Sequence, residues 1–162
     1  MQSVLIYLHV TGVFIFLLAH GGSANVAFQL KHERNPDRIR ALLDLSVWSY
    51  IGMYVGLLVL VITGIINGFL GNYWGKGWIW VSIALLAAVF VVMGTYGSRY
   101  YGKVRAAVGL RPYRRTDQVT LGAVKSEDEI AALLNTNHPL ILTLIGLGGI
   151  LVILWLMMFK PF

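Results

Sequence analysis

Apolar positions in this chain fall in four long unbroken blocks, with the polar positions gathered between them. No Asp, Glu, Lys or Arg occurs from Met1 to Leu30, from Leu45 to Gly75, from Gly77 to Ser98, or from Ile130 to Phe159. Each block exceeds the roughly 20 apolar residues that span a bilayer core. Inside lipid every backbone polar group must be satisfied within the segment, so blocks of this length read as helices. The pattern predicts four transmembrane helices, Val4–Leu30, Leu45–Leu70, Trp78–Gly97 and Pro139–Phe159. The fold class is therefore all-α, a four-helix membrane bundle in one domain over residues 1–162. Linkers 31–44 and 98–138 join the spans on one side. In the longer linker, Ser126-Glu127-Asp128-Glu129 matches a capping box and predicts a short amphipathic helix on the inner surface. Pro139 suits the first turn of the last helix. The stretch Tyr100–Val124, with Gly102, Gly109, Pro112 and Gly122, reads as irregular and mobile.

Charge turns this pattern into a topology. Of thirteen Lys and Arg residues, eleven lie in the two long linkers, leaving only Lys76 and Lys160 elsewhere. By the positive-inside rule both linkers are cytoplasmic, and both termini face outward. Basic linkers beside anionic lipid account for the net charge of +6 and the pI near 9.8 without nucleic acid. Composition agrees: 57% of residues are hydrophobic and only 12% charged, where soluble domains carry about 25%. That excludes an ordinary soluble enzyme and a disordered chain. The absence of cysteine excludes disulfides, thiolate metal sites and thiol nucleophiles. The first apolar block has no basic segment before it and is too long for a cleavable signal. Aromatic residues mark the interfaces: Tyr73, Trp74, Trp78 and Trp80 outside, and Trp48, Tyr50, Tyr96, Tyr100 and Tyr101 inside.

Few residues within the spans can do chemistry. The first helix carries His9 and His20, eleven residues apart. At about 100° per residue they share one stripe with Gly12, Phe16, Ser23 and Ala27, roughly 16 Å apart along the axis. One metal ion or one haem iron cannot take both. Membrane histidines face a bundle interior or a wet cavity. Three uses stay open: haem or metal ligation, proton relay, and plain hydrogen bonding between helices. The second helix carries a facing stripe of Ser49, Gly52, Gly56, Thr63 and Asn67. Gly52 and Gly56 permit close approach, either of a helix or of a flat cofactor. Met53, at the depth of His20, is either filler or a second haem ligand. His32 and His138 read as interfacial. The spans contain no charge, which argues against ion-coupled transport. No hydrolase triad, zinc-protease motif or phosphate loop is present.

Leu8-His9-Val10-Thr11-Gly12-Val13 resembles the first helix of the CopD-like superfamily. The basic linker that follows, the Leu58–Gly64 run and the terminal Met158-Phe159-Lys160-Pro161 extend the likeness to that group's uncharacterised four-helix membrane proteins. The resemblance implies a compact bundle in a bacterial-type inner membrane, with His9 as the family-like histidine. The small oxidases of the superfamily have a basic, proline-bearing segment close after the first helix, which His20-Gly21-Gly22 and Lys31–Asp44 do not clearly reproduce. Copper handling would call for more Met and His on the outer side.

Two functional classes follow. One is an accessory or structural membrane subunit without catalysis of its own, whose partners are the bilayer, other membrane subunits or a second copy. The other is a b-type haem or redox protein using His9, His20 or both, which makes haem b the leading cofactor. Helices 1 and 2 are expected to meet along His9/Gly12/His20/Ser23 and Gly52/Gly56/Thr63/Asn67.

Overall fold

A computed structural model describes residues 2–111 and 124–162. Among them, four helical rods are long and apolar enough to cross a membrane. Helix α1 spans Gln2–His32 and α2 spans Pro36–Leu70. A short 3-10 turn at Tyr73–Gly75 leads to α3, Gly77–Val92. A π-helical turn, Met93–Gly97, carries the same rod into α4, Ser98–Ala107. Helix α5, Glu127–Leu134, precedes α6, His138–Phe159. Large apolar side chains face outward along the rods, Leu18 at 75% exposure and Leu58 at 61% among them.

The rods run past the predicted spans, and local chemistry explains where each stops. The linker 31–44 shrinks to three non-helical residues, 33–35. Asn35 caps α2, its side-chain oxygen accepting from the Asp37 and Arg38 amides, and Pro36 occupies the first turn, where a missing N–H costs nothing. The Glu33 carboxylate accepts from the Asn35 and Arg34 amides, which holds it below the usual carboxylate range.

The third rod also corrects the expectation of an irregular segment after Tyr100. It stays helical through Ala107 and ends at Gly109, in the left-handed region at φ 80°. The Gly109 amide donates to Ala106 and the Leu110 amide to Arg105, a Schellman closure. The rest of that expectation, with Pro112 and Gly122, lies outside the described residues. Tyr100 and Tyr101, expected at the interface, are buried.

The capping box forms as predicted: the Glu129 amide donates to Ser126 Oγ, and the Ser126 amide donates to Glu129. The apolar face of α5 is not spread on a surface, however. Ile130 and Leu134 are buried against protein, in a core with Leu30, Ile39, Leu43, Val104 and Val108. This best-packed core sits at the basic end. Polar bonds surround it. Arg40 Nε donates to the Val108 carbonyl at 2.8 Å, and Arg105 pairs with Asp44 at 3.3 Å. At the opposite end a smaller core joins Trp78, Ile79 and Leu156. The Trp78 amide donates to the Phe162 carbonyl, and Lys160 Nζ lies 4.8 Å from the Tyr73 ring centre.

Between the two ends, packing is by backbone proximity. A Cβ on Gly56 would stand 2.6 Å from the Phe16 nitrogen, and one on Gly12 2.9 Å from the Leu60 nitrogen. Ala19 faces Gly52, and Ser49 faces Gly22. Helix α2 thus leans on α1, and α3 leans on α6, while α2 and α3 stand farther apart and meet through side chains, Tyr54 against Phe90 among them.

Three outcomes test this account. Gly56→Ala should lower stability in detergent by about 1–3 kcal/mol, because backbone cannot move aside for the methyl; an unchanged unfolding midpoint would refute the close approach. Ser126→Ala should cost about 1 kcal/mol and speed amide exchange across α5. Glu129, held low by the Ser126 amide and by Lys125, stabilises α5 fully above the ordinary glutamate value. That support is lost as pH falls through the depressed value, so the protection of α5 amides relative to their intrinsic exchange rates at each pH should drop only on strong acidification.

Candidate functional site

Helix α1 presents its two histidines to different neighbours. His9 meets α2 as expected: Nδ1 lies 3.0 Å from the Leu60 carbonyl and 3.1 Å from Thr63 Oγ1. A carbonyl can only accept, so Nδ1 carries the proton. Thr63 Oγ1 sends its own proton to the Val59 carbonyl at 2.6 Å and presents a lone pair to His9. Gly64 leaves room for the ring, since a Cβ there would stand 3.1 Å from His9 Cε1. His9 thus serves as a hydrogen-bonded lock between α1 and α2.

His20 does not join that seam, contrary to expectation. It turns to α6, where a Cβ on Gly146 would stand 2.6 Å from His20 Cε1. The ring is 5% exposed and lies parallel to Phe16, with centres 6.2 Å apart. Its Nε2 is buried with no hydrogen-bond partner among the described residues. Such an orphaned group costs about 1–3 kcal/mol.

The same ring lines a partly open cavity of about 120 Å3 bordered by α1, α2, α3, the π turn and α6. A cavity near 150 Å3 admits benzene, so one ring-sized group fits here. Met53 of α2 and Met93 of the π turn share the wall with His20. Ser23, Tyr50 and Thr143 bring hydroxyl-bearing side chains to it, and among the described residues no Asp, Glu, Lys or Arg lines it. The π turn contributes Met93, Gly94 and Gly97; such turns inside α-helices concentrate at functional sites.

Gly52, Gly56 and Asn67 fall outside this cavity. Gly52 and Gly56 face Ala19 and Phe16, so α1 itself fills the close-approach face where a flat cofactor was the alternative. Ser23 lines the cavity and also borders a small pocket with Ser46 and Tyr50 of α2. Asn67 Oδ1 is buried near the opposite end without a partner among the described residues. No group of three His, Asp or Glu residues capable of holding a metal occurs among the described residues.

Two features escaped the sequence reading. Gly146 is one of several small residues in the last helix, and nothing local marks it as the one facing His20. His138 was placed at an interface, but its ring is stacked between Tyr96 and Tyr100, with centres 5.0 and 4.2 Å away. Tyr100 in turn donates to the Leu133 carbonyl and accepts from Thr136, tying α4, α5 and α6 together.

No family model, curated protein or solved structure matches this chain.

Opposite signs are expected from the two histidines. His9→Phe should destabilise the protein by about 1 kcal/mol, because it deletes a made hydrogen bond. His20→Phe should leave stability unchanged or raise it by about 1 kcal/mol, because it deletes an unmade one. Unfolding midpoints in detergent would decide, and equal losses at both positions would overturn the distinction.

Proposed function

We propose that this is an integral membrane accessory protein that holds a small apolar guest inside its bundle and does not transform it. The observation that carries this reading is the ring-sized cavity lined almost wholly by apolar and aromatic side chains, with His20 on its wall. Among the described residues the wall offers no carboxylate, which favours recognition over catalysis. The clustering of basic residues at one end supports an inner-membrane setting with that end cytoplasmic and both termini outside. Membership of the CopD-like superfamily belongs to the same proposal and rests on the Leu8–Val13 likeness.

A b-type haem on His20 is the second reading. The thioethers of Met53 and Met93 beside an imidazole favour it, since a Met–His pair ligates haem iron. The volume does not fit it: the cavity takes one ring, whereas a haem is a macrocycle several times larger. Haem would require α2 and α3 to move apart.

Two measurements separate these readings. Fluorobenzene followed by fluorine NMR should bind the detergent-purified protein saturably, and Ala24→Phe, which projects a ring from the cavity wall, should abolish that binding. Unsaturable partitioning alone would refute the holding function. An absorption spectrum, oxidised and then dithionite-reduced, should be flat. A Soret band lost in His20→Ala but kept in His9→Ala would establish the haem reading instead.

A further inference from the structure

We propose that the guest is one acyl chain of an anionic phospholipid, which enters sideways between α2 and α3 while its headgroup stays at the basic end. This rests on the reading of the cavity as a holding site and names what is held.

The opening decides where a guest comes from. Among the described residues that line the cavity, only Tyr54 of α2 and Phe90 of α3 are exposed, at 60% and 45%. Their rings meet edge to face across the seam, with centres 6.3 Å apart. Outward apolar side chains flank that seam, Leu58 on α2 and Val91 on α3 among them. A bilayer around this exterior puts lipid tails in permanent contact with the opening.

The inner wall suits a tail. Met53, Leu57, Leu86 and Met93 offer apolar contact, and an alkyl chain asks for no hydrogen bond. On α6 the wall runs from Pro139 to Ile150, eleven residues or about 16 Å along the axis. That is a long, narrow shape. On the scale by which a cavity near 150 Å3 admits benzene, 120 Å3 takes a stretch of about five chain carbons. The rest of the tail stays in the seam and in the bilayer, so the whole guest need not fit inside.

Charge places the headgroup. At the foot of the seam two arginines brace α2 against α4. Arg40 Nε donates to the Val108 carbonyl at 2.8 Å, and Arg105 pairs with Asp44 at 3.3 Å. Arg105 lies one turn beyond Tyr101, which lines the cavity, and its Nε donates to the carbonyl of the exposed Arg111. Three guanidiniums therefore stand there against two carboxylates, Asp37 and Asp44. Along α2, Asp44 is six residues from Tyr50 on the cavity wall, about 9 Å. That is close to the roughly 5–8 Å depth of one headgroup layer, so a phosphate beside the braces leaves its tail level with the cavity. The excess positive charge selects an anionic headgroup.

The test uses the full chain in nanodiscs of equal phosphatidylglycerol and phosphatidylcholine, with a trace of phosphatidylglycerol carrying a photoreactive diazirine in its tail. After illumination, peptide mass spectrometry should find label on the inner-wall residues Met53 and Met93 as well as on the outward Leu58. Extra phosphatidylglycerol should suppress the inner label at least about threefold more effectively than extra phosphatidylcholine, the size of one excess surface cation. Arg111→Gln should erase that preference. Excess oleate should leave the inner label in place. Ala24→Phe should remove the inner label and keep the label on Leu58. Gly94→Leu should also cut the inner label, since a Cβ on Gly94 meets nothing within 4 Å and the added side chain clashes with nothing as it starts.

Label confined to outward residues would overturn the acyl-chain inference. Saturable binding of fluorobenzene would then leave the holding function standing, and its absence would overturn both. Equal suppression by the two phospholipids would overturn the anionic headgroup. Displacement by oleate would make the guest a free fatty acid and overturn the phospholipid. Inner label that survives both Ala24→Phe and Gly94→Leu would overturn the cavity as its site.

Discussion

The contact on which the rest of this structure depends is the meeting of α1 and α2 backbones at Gly12 and Gly56. With a Cβ excluded on both sides, the two helices lock at one rotation, and His9 bonds to Leu60 and Thr63 only in that rotation. Once α1 is fixed, the direction of every other side chain on it is fixed too. His20 then faces α6, and Gly146 has to lack a side chain to receive it. The cavity is the space left when one helix pair is held tightly and the second pair meets it mainly along α1 and α6.

The two ends and the middle of the bundle obey different rules. At the basic end, water is a competing solvent, and burial of Leu30, Ile39, Leu43, Val104, Ile130 and Leu134 is driven by the hydrophobic effect. With the middle of the bundle in a bilayer, as proposed, that drive vanishes there, because a lipid tail is as apolar as a leucine. Helices there are held by close backbone contact and a few polar bonds, so a void at mid-depth costs less than the same void in a soluble core. This is a physical reason for dense packing around α4 and α5 beside an open seam between α2 and α3.

Much of the architecture was legible because charge-free length is a strong signal. All four apolar blocks became helices, and the capping box at Ser126 and Glu129 formed at the predicted residues. Helix ends were less legible. A hydropathy pattern marks where apolar residues stop, whereas Asn35, Pro36 and Gly109 decide where helices begin and end. The site was half legible. His9 and the Gly52/Gly56 face were placed against the right partner. His20 was assigned to the same seam because a shared stripe gives an angle and not a neighbour. A stripe spans enough arc to touch two helices, and the choice of α6 rests on a glycine more than a hundred positions away. The π turn left no signature at all, since a single extra residue in an apolar run does not disturb its composition.

That π turn has a consequence for the length of the third rod. A π turn takes up one extra residue locally, so the helix before it and the helix after it keep the faces they would have without it. Trp78 can therefore remain in the core at one end while Tyr100 and Val104 remain in the core at the other. Elsewhere on the rod, losing a residue would rotate everything downstream by about 100°. Within Met93–Gly97 it would instead relax the turn to ordinary α geometry and leave both ends in phase. The wall beside His20 is thus the one stretch of this rod where the chain can shorten by a residue without twisting the bundle apart.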